Sequence, residues 1–163
     1  MTGEDFLISM FIVLFWAVII RYFLKERRKN KEIENRNKLY FKNFIDATNR
    51  VLGTRMQPNY LTDETVIIVQ NYGTPGYGKE IIGSVKIRLI KEHDFFTMRD
   101  SFSIHVNGTT NKGKSVGKYK EIKGRPDTFL ASEYFDIIKD MHNSVTKSYD
   151  FKEGLKKSGW MSV

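Results

Sequence analysis

The chain has no cysteine. That excludes disulfides, thiolate metal sites and a cysteine nucleophile, but it does not fix the compartment. Proline is scarce, with three residues, and no Pro- or Ser-rich linker or internal repeat is present. The three histidines, His93, His105 and His142, share no spacing with each other or with a carboxylate that suggests a metal or hydrolase site. They read as surface side chains, and His142 is expected to be exposed because it lies off the apolar stripe of its helix. No serine stands in a G-x-S-x-G setting. The residues give no sign of an active site, so no enzyme activity, cofactor, metal or small-molecule substrate is expected.

One long apolar run is present. Phe6 to Leu24 reads FLISMFIVLFWAVIIRYFL. As a helix it would be about 28 Å long, close to the hydrocarbon thickness of a bilayer. Its single charge, Arg21, lies near the end, where the long stem can snorkel to the headgroups. A cleaved secretory signal carries positive charge before its apolar stretch, whereas this leader is Met-Thr-Gly-Glu-Asp and no small-x-small site follows. A buried helix is seldom apolar on every face over five turns. The run predicts a single transmembrane anchor over residues 1–24.

Arg21, Lys25, Arg27, Arg28, Lys29 and Lys31 end the run or follow it directly. Between Arg21 and Arg50 there are ten Lys/Arg and four Asp/Glu, so the rest of the chain supplies only +2 of the total +8. The basic pI is therefore a local property and not a nucleic-acid footprint. Residues 25–40 read as a basic stalk helix. Its cations are candidate contacts for anionic lipid headgroups, each contributing about 1 kcal/mol near the surface. The same flank favours the inner side for the C-terminal part and the outer side for the N-terminus.

Residues 41–163 are long enough for one small domain. Phe41, Phe44, Ile45, Thr48, Val51 and Leu52 recur at helical spacing, and Gly53 stops the helix. Thr65–Tyr72 is β-branched and apolar. Val85, Ile87 and Leu89 alternate with Lys86, Arg88 and Ile90, and Phe102, Ile104 and Val106 alternate with Ser101, Ser103 and His105. Each reads as a strand with one buried face. Val116–Ile122 can pair back as a short strand. Asp127 or Thr128 is the expected N-cap of a last helix with the stripe Leu130, Tyr134, Ile137, Ile138, Met141 and Val145. The tail from Tyr149 has no clear period. The expected fold is α+β: helix, about four mainly antiparallel strands, C-terminal helix.

Gly108-Thr-Thr-Asn-Lys-Gly113-Lys114-Ser115 matches G-x-x-x-x-G-K-[ST]. In a phosphate loop the backbone amides cradle phosphates, the lysine reaches the β/γ oxygens and the serine holds Mg²⁺. That chemistry requires a strand before and a helix after. The strand is present, but Val116–Ile122 reads as a second strand, so a polar hairpin tip is the preferred reading. Gly73–Gly78 is a second glycine loop without the G-x-G-x-x-G order.

The order of these elements resembles a known family. A membrane helix precedes an amphipathic helix ending Val51-Leu52-Gly53. A strand around Ile82–Ile87 follows, then Phe102–Gly108, the basic glycine loop Asn111-Lys112-Gly113-Lys114 and a returning strand. This order is similar to that of the membrane-anchored assembly factors of mitochondrial cytochrome oxidase and a related subunit of the inner-membrane presequence translocase. The resemblance implies a non-enzymatic accessory or assembly subunit of a respiratory or translocase complex in the mitochondrial inner membrane. It also implies a domain on the outer side of that membrane, opposite to the charge rule. The expected function is docking on other subunits of a membrane complex, with Tyr77, Lys112, Tyr119 and Trp160 as candidate contacts. Two other readings stand beside it. One is a holin-like membrane effector with a Ser9/Ala17 small-residue face. The other is a tethered nucleotide binder through Gly108–Ser115.

Overall fold

The computed structural model describes residues 3–62, 64–74, 80–97, 99–124 and 126–160; the side chains of 3–9, 36, 37 and 127 are outside this description. The chain divides into two compact units, Met1–Arg36 and Asn37–Val163.

The first unit is built by α1 (Gly3–Asn37), which carries the apolar run and the basic stalk in one helix. The run has no internal proline or glycine to break it. From Met10 to Leu24 its large side chains are exposed on all sides, Phe11, Val13, Phe15 and Phe23 among them. Among the described residues no helix is long and apolar enough to cross a membrane. The side chains of Phe6–Ser9, which open the expected span, lie outside the described residues.

The second unit is an α+β domain. It begins with α2 (Leu39–Leu52), which buries Phe41, Phe44, Ala47 and Thr48 and stops at Gly53 in the left-handed region, φ 66°. Five strands follow: β1 (Asn59–Thr62), β2 (Thr65–Gly73), β3 (Ile81–Asp94), β4 (Arg99–Thr110) and β5 (Val116–Ile122). They form one antiparallel sheet in chain order, each pairing only with its sequence neighbours. A 3-10 turn (Pro126–Thr128), α3 (Ala131–Thr146) and α4 (Tyr149–Lys157) complete the domain.

The expected order is observed, with corrections. The sheet has five strands instead of about four, because the short NYLT segment pairs onto β2. The last helix starts later than expected. Pro126–Thr128 closes a 3-10 turn, and Leu130, not Asp127 or Thr128, is the N-cap, its amide donating to Glu133 Oε2 at 2.6 Å. The tail is a further helix, α4, whose cap Ser148 accepts from the Phe151 amide. His142 is half-buried instead of exposed, with Nε2 3.0 Å from Gln70 Oε1.

The three helices of this unit cover one face of the sheet. Val66 and Ile68 of β2, Val85, Ile87 and Leu89 of β3, and Ile104 and Val106 of β4 are fully buried. Phe44 meets Tyr134 edge-on at 5.9 Å, joining α2 to α3 over this core. At one end Tyr40 of α2 stacks edge-on to Phe102 at 5.4 Å, and Phe102 shares a rung with Ile122. The chain enters the domain at this end, here called the near end. At the far end the rung of Gly83 with Thr110 lies under α4.

Candidate interaction surfaces

Among the described residues no helix of the domain covers the second face of the sheet. Its rungs follow from the register. Ile67, Arg88, His105 and Tyr119 form one row; Val69, Lys86, Asn107 and Gly117 form the next. The result is a largely polar face with the cations Lys86 and Arg88, the carboxylates Glu92 and Glu121 toward the near end, and several hydroxyls. Among the described residues no carboxylate lies within ion-pair distance of Lys86 or Arg88. With the Asn107 amide turned to satisfy both of its ends, its oxygen accepts from the Arg88 guanidinium at 2.6 Å. The Arg88 Nε is buried with no hydrogen-bond partner among the described residues. Such an orphaned donor costs on the order of 1–3 kcal/mol. Ser103 Oγ lies 2.9 Å from His105 Nε2, and the Ser84 and Thr109 hydroxyls are 3.1 Å apart. The His105 and Tyr119 rings are in contact at 5.3 Å. Burial, and then the neighbouring Arg88 charge, hold the His105 pKa below its ordinary 6.5, partly opposed by Glu92. His105 is therefore neutral at pH 7, and the charged side chains of the face are Lys86 and Arg88 in its middle and, by the register, Glu92 and Glu121 toward the near end.

Both sheet edges carry features that disfavour an added strand. β1 is four residues long and its register shifts between Tyr60 and Thr62. β5 is longer, but Lys118 and Lys120 stand opposite Val106 and Ile104, on the helix side. Charges pointing inward on an edge strand disfavour pairing with another chain.

The candidate contacts separate. Tyr119 belongs to the open face. Lys112 and Trp160 belong to the far end, where the Lys112 amide donates to Ser158 Oγ at 3.1 Å and the half-buried Trp160 ring meets Tyr72 edge-on at 5.5 Å. There Tyr72, Phe151, Leu155 and Trp160 line a groove of about 590 Å³ with Lys152 and Lys156 on its wall. Tyr77 and most of the Gly73–Gly78 loop lie outside the described residues. The basic residues Arg21, Lys25, Arg27, Arg28, Lys29 and Lys31 are exposed along α1.

Gly108–Ser115 is a hairpin: Gly108 is inside β4, paired with Val85 and Val116, and the strand β5 follows Ser115 where a phosphate loop has a helix. Packing accounts for its two glycines. A Cβ on Gly108 would sit 2.7 Å from both Phe151 and Val145, and one on Gly113 would sit 2.7 Å from the Gly154 Cα. They let α4 rest directly on the sheet. Among the described residues the buried Thr110 hydroxyl beneath this contact has no hydrogen-bond partner.

Of the other histidines, His93 finds a carboxylate that sequence spacing did not show. Asp100 lies opposite it on β4, with Nδ1 to Oδ1 at 2.7 Å, and also bonds Lys91 at 3.1 Å. Among the described residues no cluster of three His, Cys, Asp or Glu is placed to hold a metal ion. One surface had no counterpart in the sequence reading. The turn between β3 and β4 presents Phe95 and Phe96 to solvent, Phe96 completely. Asp94 fixes this turn, accepting from the Phe96 amide at 2.8 Å and the Thr97 hydroxyl at 2.8 Å. No family model, curated protein or solved structure matches the chain.

Proposed function

We propose that this chain is a single-pass membrane protein whose domain docks, through the open sheet face, on an acidic surface of another subunit of a membrane complex. The observation that carries the reading is the pair Lys86 and Arg88, which among the described residues have no carboxylate within ion-pair distance and lie on a face that no described helix of the domain covers. Edges that disfavour an added strand and a largely polar open face favour face-to-face recognition, with complementary charge setting partner choice. Anchoring by Phe6–Leu24 is supported by the apolar side chains exposed all around α1, a surface too large to leave in water. The basic stalk suits anionic headgroups. An anchor confines the domain to two dimensions and raises its effective concentration near the partner. No step of chemistry is required of the chain. The resemblance to oxidase assembly factors and the translocase subunit is in keeping with this role.

The test is photo-crosslinking in native membranes, with the reactive group at position 119. A discrete adduct is expected, lost when Lys86→Glu and Arg88→Glu are combined. An adduct that survives this charge reversal would overturn the reading. So would an equal adduct from Lys139, which is exposed on the helix side. Resistance to alkaline carbonate extraction tests the anchor. Protease protection of a C-terminal tag tells the inner side, given by the charge rule, from the outer side implied by the resemblance.

A further inference from the structure

The open sheet face carries charge of both signs, and the signs are set apart along the strands. Lys86 and Arg88 stand on β3. Glu92 follows four residues after Arg88, and Glu121 lies on β5 in the row of Ile90 and Ser103. Lys86, Glu92 and Glu121 are exposed, and Arg88 is half-buried. Among the described residues none of the four has an opposite charge within ion-pair distance. Nearer the β3–β4 turn, Asp94 and Arg99 share one rung, and the Asp94 carboxylate is taken up by Thr97 and the Phe96 amide.

Within one copy these charges do not meet. Four residues of strand set Glu92 about 13 Å from Arg88, and six set it about 20 Å from Lys86. Both separations exceed the Debye length of about 8 Å at physiological ionic strength, so the attraction is largely screened. The same spacing suits a pair of copies. A second chain turned end for end, about an axis along the rungs between the Arg88 and Ile90 rows, reverses the order of charge. Lys86 of each copy then stands over Glu92 of the other. Tyr119 stands over Glu121, whose carboxylate can accept from its hydroxyl, and His105 stands over Ser103. Such an interface is isologous, so every contact occurs twice.

The face is small. From Ser84 to Glu92 it is about 26 Å long, and five strands make it about 19 Å wide. That is about 500 Å² per copy, against about 800 Å² in an interface of standard size. Association in dilute solution is then weak, and charge complementarity sets partner and register. An anchor that confines both copies to two dimensions raises their effective concentration.

We propose that the open sheet face pairs with the same face of a second copy, the acidic surface it docks on being Glu92 and Glu121 of that copy. This rests on the docking reading and names its partner.

The test places the purified full chain in phosphatidylcholine vesicles, with the photo-reactive group at position 119 and no other protein present. An adduct of twice the chain mass is expected. Combining Lys86→Glu with Arg88→Glu should lower its yield about tenfold, and so should Glu92→Lys with Glu121→Lys, since like charges then face each other. Mixing the two reversed chains should restore it, because each again meets its opposite. All four substitutions in one chain should do the same. Should Arg88→Glu unfold the domain, Lys86→Glu against Glu92→Lys makes the same swap on exposed side chains alone. A double-mass adduct that the mixture does not restore would overturn the proposal, as would its absence from the purified chain. Native membranes keep the two readings apart. An adduct of another mass, lost on reversal of Lys86 and Arg88, retains the docking reading and sinks the second copy. An adduct indifferent to that reversal in both settings sinks both.

Discussion

On the helix-covered face of β3 and β4, Val85, Ile87, Leu89, Ile104 and Val106 are fully buried, whereas one residue along each strand Lys86, Arg88, His105 and Asn107 meet solvent at least in part. Both faces share one backbone and one register. The covered face needs shape: its glycines are placed where α4 touches the sheet, and a single methyl group there would collide. The open face needs none, and instead carries charge and hydroxyls. Close packing and solvent-facing polarity are thus separated by a single step along the strand.

Substitutions on the two faces should therefore differ most in what they break. Val106→Asp puts an unpaired carboxylate in the core and is expected to unfold the domain, a loss above about 4 kcal/mol, read as vanishing near-ultraviolet circular dichroism. Gly108→Val is milder. It forces Phe151 and Val145 away and should cost about 2–3 kcal/mol, with α4 released and opened to trypsin at Lys152 and Lys156 while the sheet persists.

Acidification should act next. Burial lowers the His142 pKa from 6.5, so the folded domain binds fewer protons than the unfolded chain. Stability is then fully present above pH 6.5 and declines as the pH falls from 6.5 through the lowered folded value. His105 adds in the same direction. Melting temperatures should fall over that range, less in His142→Gln than in the parent; equal slopes would remove His142 from the explanation.

At the small end, Tyr119→Ser on the open face should shift stability by less than about 0.5 kcal/mol. Lys114→Ala on the hairpin should do the same, and calorimetry with Mg-ATP should show no binding for it or the parent. Saturable binding in the parent that disappears in Lys114→Ala would restore the phosphate-loop reading.

Much of the covered face was legible in the sequence, because period-two alternation over Val85–Leu89 and Phe102–Val106 and helical spacing over Phe41–Leu52 each repeat several times. α4 was not. It has nine residues, two large buried apolar side chains and a glycine in its middle, too few for a period; Ser148 as cap, Asp150 in the first turn and Lys156 and Lys157 in the last were the available signal. β1 is four residues of mixed polarity and is defined only by its pairing. The open face was half legible: alternation identified its polar residues, but register was needed to set Arg88, His105 and Tyr119 in one row. Phe95 and Phe96 gave no warning, since exposed and buried phenylalanines look the same in a sequence.

The chain-order sheet also bears on how the domain is made. Every strand pairs with the one synthesised just before it, so the meander can assemble from short loops as the polypeptide emerges. The cover does not keep pace. Gly83 is covered by Leu155 and Gly108 by Phe151 and Val145, all of which follow the last strand in the chain. Until then the far end of the sheet shows bare apolar backbone to any chaperone or neighbouring nascent chain. A chain released after truncation just before Ser148 would keep all five strands with that end of the sheet open, and a protease would find it there.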